Sequence, residues 1–257
     1  MAEESDTVAE EESEFDKKPG SLRETMITVF LAVLIALGVR TVAYEPFNIP
    51  SGSMIPTLLI GDYLFVSKAS YGYSRHSLPF SLPLIPGRIF FEEPKRGDVM
   101  VFKLPTDNKT DYIKRIIGLP GDTVQLKNSV LYINNKAVKR ERVEDFIERA
   151  GPNSYSRTPR YLETLPGGKR HYVLEVTENT LYDNTPVYKV PEGHYFAMGD
   201  NRDKSRDSRF LDDVGYIPKV NLVGRAEFLF LSVDGAVWKF WEWANSLRFE
   251  RFFQAIE

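Results

Sequence analysis

The chain has 257 residues, 42% of them hydrophobic, enough for one large domain or two small ones with a real core. It has no cysteine, which excludes a disulfide framework and cysteine-ligated zinc and leaves a fold able to work outside the cytoplasm. The net charge of −3 divides as −6 over residues 1–24, +1 at Arg40 and +2 from Glu45 onward, too mild for a nucleic-acid surface.

Residues 1–24 hold nine acids and three bases with no apolar period, and read as a solvated, disordered tail; a short acidic interaction arm is the alternative. Residues 25–39 carry no charge. Extended to 44, they supply about 30 Å of helix, enough to cross a bilayer core. Arg40 then snorkels to the far interface. Lys17, Lys18 and Arg23 on the near side outnumber Arg40, which places the tail in the cytoplasm and the remainder outside. Thr41-Val42-Ala43 also suits a cleavable signal peptide, but the segment leading to it is long and acidic where such a peptide has a short basic one.

Just beyond the apolar run lies Pro50-Ser51-Gly52-Ser53-Met54-Ile55-Pro56-Thr57, two hydroxyls in a backbone pinned by prolines. Ser53 reads as a nucleophile, which needs a neighbouring base. His76, His171 and His194 have no orienting carboxylate close in sequence, and no G-x-S-x-G elbow occurs. The better base is Lys114, in Asp111-Tyr112-Ile113-Lys114-Arg115-Ile116-Ile117-Gly118. An arginine keeps its proton in a protein, whereas burial among apolar groups lowers a lysine amine from about 10.4. On a period-two strand Lys114 shares a face with Tyr112 and Ile116, and Arg115 lies between Ile113 and Ile117. The pattern leaves open which cation is inside.

From Glu45 onward the chain reads as mainly β. Runs at 63–66, 99–102, 123–126 and 195–198 adjoin Gly-Asp or Pro-x-Gly turns, and 130–133 and 136–138 flank Asn134-Asn135, a hairpin signal. Short turns without alternating helices predict antiparallel sheets. Two inserts interrupt the pattern. Residues 67–96 are apolar and proline-rich, kept from a central strand, and either lie under the sheet or dip into a membrane. Residues 141–170 are polar and read as a surface excursion. At the C-terminal end, 237–257 gather all three tryptophans with Phe249, Phe252, Phe253 and Ile256, suited to a membrane interface or to packing on the protein itself.

A third polar stretch is Met198-Gly199-Asp200-Asn201-Arg202-Asp203-Lys204-Ser205-Arg206-Asp207-Ser208-Arg209. A calcium-loop template begun at Asp203 puts Ser208 where glycine is required and Val214 where the bidentate acid belongs. Instead P-S-G-S-M-x-P-T-L, a Gly-Asp near a strand, D-Y-I-K-R and G-D-N-R-x-x-S-x-D-S-R, in that order, resemble the bacterial type I signal peptidases over nearly all of 45–231.

The resemblance implies a two-part β catalytic domain behind one N-terminal transmembrane helix, with the site along a groove. It implies Ser53 as nucleophile, Lys114 as general base and Ser205 as the hydroxyl that orients the lysine. Ser51 with the backbone N–H of Ser53 would form the oxyanion hole, and Asp207 with Arg209 a structural ion pair behind the site. The substrates would be preproteins with small residues one and three positions before the cut, met at the outer face of a bacterial cytoplasmic membrane, with no metal or organic cofactor. The rival readings are a self-cleaving repressor-type peptidase, a processing peptidase of conjugation systems and a non-catalytic membrane-tethered β module. The first lacks the helix-turn-helix it would need, and the last gives no reason for Ser53, Lys114 and Ser205 to occur together.

Overall fold

The computed structural model describes residues 22–78, 81–151, 154–176, 182–235, 238–239, 241 and 243–257. Most of the acidic tail lies outside them. Contacts divide the chain into a unit ending at Arg40 and a unit from Thr41 to Glu257. The described part of the first is helix α1 (Leu22–Val42) as far as Arg40, and the helix exposes its Val29, Phe30, Leu31, Val33, Leu34 and Ile35 side chains. Among the described residues no helix is long and apolar enough to cross a membrane.

The second unit is mainly β. It opens with β1 (Tyr44–Asn48), a 3-10 turn Gly52–Met54 and β2 (Asp62–Ser67). The short strands β3 (Tyr73–Ser74) and β4 (Arg88–Ile89) precede β5 (Val99–Lys103) and β6 (Asp111–Gly118). Next come β7 (Thr123–Lys127), β8 (Val130–Ile133), β9 (Lys136–Ala137) and β10 (Lys139–Arg142). The polar insert forms β11 (Phe146–Gly151), β12 (Ser154–Thr158), β13 (Arg160–Thr164) and the start of β14 (Arg170–Leu174). The last strands are β15 (Tyr188–Lys189), β16 (His194–Met198), β17 (Ile217–Pro218) and β18 (Leu222–Ser232), before the one-turn helix α2 (Trp243–Ser246).

These strands pair antiparallel. A seven-stranded sheet runs β1-β2-β18-β5-β6-β16-β17, beside sheets β15-β7-β8-β9 and β10-β13-β14 and the pairs β11-β12 and β3-β4. At the Asn134-Asn135 turn both residues take positive φ, 51° and 62°, the conformation a tight hairpin requires and asparagine tolerates.

β18 gives the large sheet its curl. It pairs with β2 and β5 through three register shifts, between Leu222 and Gly224, Ala226 and Phe228, and Leu229 and Leu231. Each irregularity bends the strand and steepens its twist. The sheet becomes a curled half-barrel, and β1 and β6, four places apart in strand order, line one cavity. One apolar cluster fills the curl with Ile49, Met54, Leu58, Leu64, Val66, Val101 and Leu229. A second, with Val124, Leu126, Leu131, Ile133 and Phe196, lies under the four-stranded sheet.

Both inserts have a physical rationale. In 67–96 the prolines allow only the two-residue strands β3 and β4, and Leu84 and Phe90 are 73% and 81% exposed rather than buried beneath the sheet. In 141–170 β13 joins β10 and β14, with the Arg140 guanidinium over the Tyr161 ring at 3.6 Å and Arg160 over Tyr172 at 4.8 Å. At the C-terminal end Trp238, Trp241, Phe249 and Phe253 are exposed.

Candidate active site

Ser53 sits in the 3-10 turn that follows β1. Its neighbour Met54 is fully buried, which pins the turn to the core, while Ser53 keeps 7% exposure. From the far side Asn201 holds the same turn: its backbone N–H donates to Ser53 O at 3.1 Å and its Nδ2 to Gly52 O at 3.1 Å.

Lys114 reaches the turn from β6. Its Nζ donates to Ser53 Oγ at 2.9 Å and to Ile113 O at 2.8 Å, and lies 5.2 Å from the centre of the Tyr112 ring. Burial holds this amine down at about 8, against the opposing pull of Asp207 and Asp200. An amine so placed can exchange a proton with the hydroxyl. Ser51 Oγ stands 3.5 Å from Ser53 Oγ, on the exposed side of the turn.

Arg115, the adjacent cation, is also buried, at 0% exposure. Its Nε and Nη2 donate to the two carboxylate oxygens of Asp200 at 2.9 and 2.8 Å, its Nη1 to Gly97 O at 2.7 Å and its Nη2 to Thr57 Oγ1 at 3.2 Å. Burial alone would push the Asp200 carboxyl up, and the guanidinium overcomes this and holds it below the usual carboxylate range. The fork of arginine fits a carboxylate bidentately, so Arg115 takes the acid and Lys114 is left without one.

The 198–209 stretch closes the site. Arg209 Nε and Nη2 each donate to Asp207 at 2.9 Å, and Asp207 also accepts from Gly199 N at 3.0 Å. Arg209 Nη2 donates onward to Arg202 O at 2.6 Å. Ser205 is buried and its hydroxyl makes no hydrogen bond to Lys114. It lies on the side of Asp207, whose carboxyl, against the upward push of burial, is held below the usual range by Arg209 first and by Gly199 N and the Ser205 hydroxyl after it. Gly199 is required by close approach: a Cβ there would stand 2.2 Å from Ser205 Oγ and 2.5 Å from Ser53 O.

The structure thus brings Ser51, Ser53, Lys114, Ser205, Asp207 and Arg209 around one turn. The sequence reading missed what underlies them: Asp200 with Arg115 and Thr57, and the buried ion pair of Arg202 with Glu163. The signal was in G-D-N-R, whose acid and arginine precede the serine by only a few residues. Among the described residues the one carboxylate group that could gather round a metal is Glu175, Asp183 and Asp203, and Arg140 Nη2 already stands 2.9 Å from Glu175.

Ser53 and Lys114 line a cavity of about 510 Å³ with Phe47, Ile49, Val101, Tyr112 and Ile113. β6 pairs with β5 over residues 111–115 but with β16 only over 115–118, so 111–114 presents one backbone edge with no strand partner among the described residues. An extended peptide can add to such an edge.

The family and the relatives that this chain matches show a hydrolase of the serine peptidase class. The chain belongs to the family described as signal peptidase, peptidase S26, whose model matches residues 22–231. Signal peptidase I of Rickettsia typhi (strain ATCC VR-144 / Wilmington) is 39% identical over 255 residues, covering 92% of this chain and 94% of its own. That of Rickettsia conorii (strain ATCC VR-613 / Malish 7) is 42% identical over 243 residues, covering 87% and 89%. The crystal structure of a signal peptidase I from Enterococcus faecalis V583 is 26% identical and covers 52% of this chain and 97% of that one, with a TM-score of 0.31.

Proposed function

We propose that the chain is a membrane-anchored endopeptidase that removes signal peptides from exported preproteins, with Ser53 as nucleophile and Lys114 as general base. The observation that carries this reading is the Lys114 Nζ to Ser53 Oγ distance of 2.9 Å, in a buried site that lowers the amine to about 8.

The preprotein lies extended along the free edge of β6, its small side chains one and three positions before the cut against the apolar wall of the cleft. Neutral Lys114 takes the proton from Ser53 Oγ, which attacks the scissile carbonyl. The oxyanion is met by the Ser51 hydroxyl and the Ser53 backbone N–H. Lys114 then passes its proton to the departing amine, leaving the signal peptide as an ester on Ser53. A water deprotonated by Lys114 hydrolyses that ester and restores the serine. Ser205 is the acceptor that orients the amine as it turns toward the reacting oxygen, and the Asp207–Arg209 pair holds that loop in place. None of these steps calls on a metal or an organic cofactor.

Helix α1 is the single-pass anchor, with the acidic tail in the cytoplasm and the peptidase domain outside the cytoplasmic membrane. The exposed apolar residues of 67–96 and 237–257 add lipid contacts. Purified full-length chain in detergent, given a preprotein with an Ala-x-Ala site, is expected to cut after the second alanine. Ser53→Ala and Lys114→Ala should each lower the rate by at least about 10³-fold while remaining folded. Cleavage that survives Lys114→Ala requires another base. No cleavage by the wild type moves the reading to a conjugation-type processing peptidase or a binding module.

A further inference from the structure

The lining of the cleft is in part apolar and in part cationic. Besides Ser53, Lys114 and the apolar wall, the cavity is lined by Lys204 and Arg206, which flank Ser205. Both are exposed. Lys204 has no ion-pair partner among the described residues. Arg206 Nε stands 2.7 Å from Asp213 Oδ2 but the side chain is 70% exposed, so water weakens its hold on that acid. The one carboxylate lining the same cavity, Asp111, is paired with Lys103 at 2.8 Å.

The position of these cations relative to the cut follows from the loop that carries them. Asn201 ties it to Gly52 and Ser53, at the serine end of the cleft. Asp111 lies at the opposite end of the free β6 edge, three residues before Lys114. A peptide extended on that edge, with its reacting carbonyl at Ser53, has one half toward Asp111 and the apolar wall and the other beneath Lys204 and Arg206. The small residues before the cut occupy the apolar half, so the first residues after the cut meet the cations.

Resting on the reading of the site as a signal peptidase, we infer that Lys204, assisted by Arg206, is a specificity determinant that favours preproteins with an acidic residue within the first three positions after the cut. The contact is an exposed charge pair, so its effect is moderate and screened by salt.

The test uses full-length chain in detergent and three preproteins with one Ala-x-Ala site, differing only in Glu, Gln or Lys two positions after the cut. Wild type is expected to show a kcat/KM about three- to fivefold higher for the Glu than for the Lys substrate, the size of one exposed charge pair. Lys204→Gln should bring that ratio toward one, and Lys204→Glu should invert it. Raising ionic strength from about 0.05 M to about 0.5 M should shrink the wild-type ratio without any substitution. A wild-type ratio near one, or one unmoved by both salt and Lys204→Glu, overturns the inference while leaving the peptidase intact. Failure to cleave any of the three substrates overturns the peptidase reading instead.

Discussion

Lys114 and Arg115 are neighbours on one strand, both buried, yet one is fully neutralised and the other is not. Alternation along β6 places them on opposite faces, and that much is legible in the sequence. Which of them keeps a free amine or fork is decided by Asp200, 85 residues away in the chain, and no local pattern carries that information. The unpaired amine has a thermodynamic signature. Holding a lysine at about 8 rather than about 10.4 costs about 3 kcal/mol of stability wherever both folded and unfolded states are protonated. Because the folded pKa is the lower one, the unfolded state binds more protons between the two values, so the cost is full below pH 8, shrinks as pH rises, and vanishes above the unfolded value. Lys114→Met is therefore expected to abolish cleavage and yet raise unfolding free energy by about 1–3 kcal/mol at pH 7, with the gain lost by about pH 10.5. Denaturant unfolding across that range checks it. For the wild type, kcat/KM should climb as pH passes upward through about 8, where the amine becomes neutral.

At the scale of elements, the site is a joint between a turn, a strand and a loop. Motif order showed that the three belong together, and the hairpin at Asn134-Asn135 was readable because two consecutive asparagines meet a specific backbone demand. The strands β11 to β13 were not readable. Their residues are largely polar and carry no apolar period, and β13 meets β10 and β14 through guanidinium–ring contacts, Arg140 on Tyr161 and Arg160 on Tyr172, that join residues distant in the chain. The importance of Gly199 was equally hidden, since a glycine at the end of a strand looks like any turn residue until Ser205 and Ser53 are seen against it. Gly199→Ala must push the turn and the loop apart by a fraction of an ångström to about 1 Å. The expected result is a loss of about 10²-fold in kcat, the penalty of a misplacement of that size, with binding of a non-cleavable peptide retained.

For the whole molecule, composition and the charge-free run set an apolar segment apart from a β-rich remainder, and contacts divide the chain into a unit ending at Arg40 and a unit from Thr41 onward. Anchoring by α1 is tested by placing charge at its middle. Leu31→Lys, at a position 51% exposed, is expected to cost about 2.5–3.5 kcal/mol of membrane insertion, and Leu31→Lys with Leu34→Lys about twice that. Full-length chain should stay with membranes through alkaline carbonate extraction, and the double variant should be released. Retention of the double variant would remove α1 as the anchor.

The turn that bears Ser53 has one neighbour sunk in the core at Met54, and its carbonyls are gripped by Asn201. Its order therefore derives from the same packed interior that holds β2, β5 and β18 together. An active centre fastened in this way has little freedom to loosen ahead of its scaffold on heating. Thermal inactivation and the collapse of the half-barrel become one cooperative event, and the enzyme passes from working to unfolded with no warm, intact and idle form between.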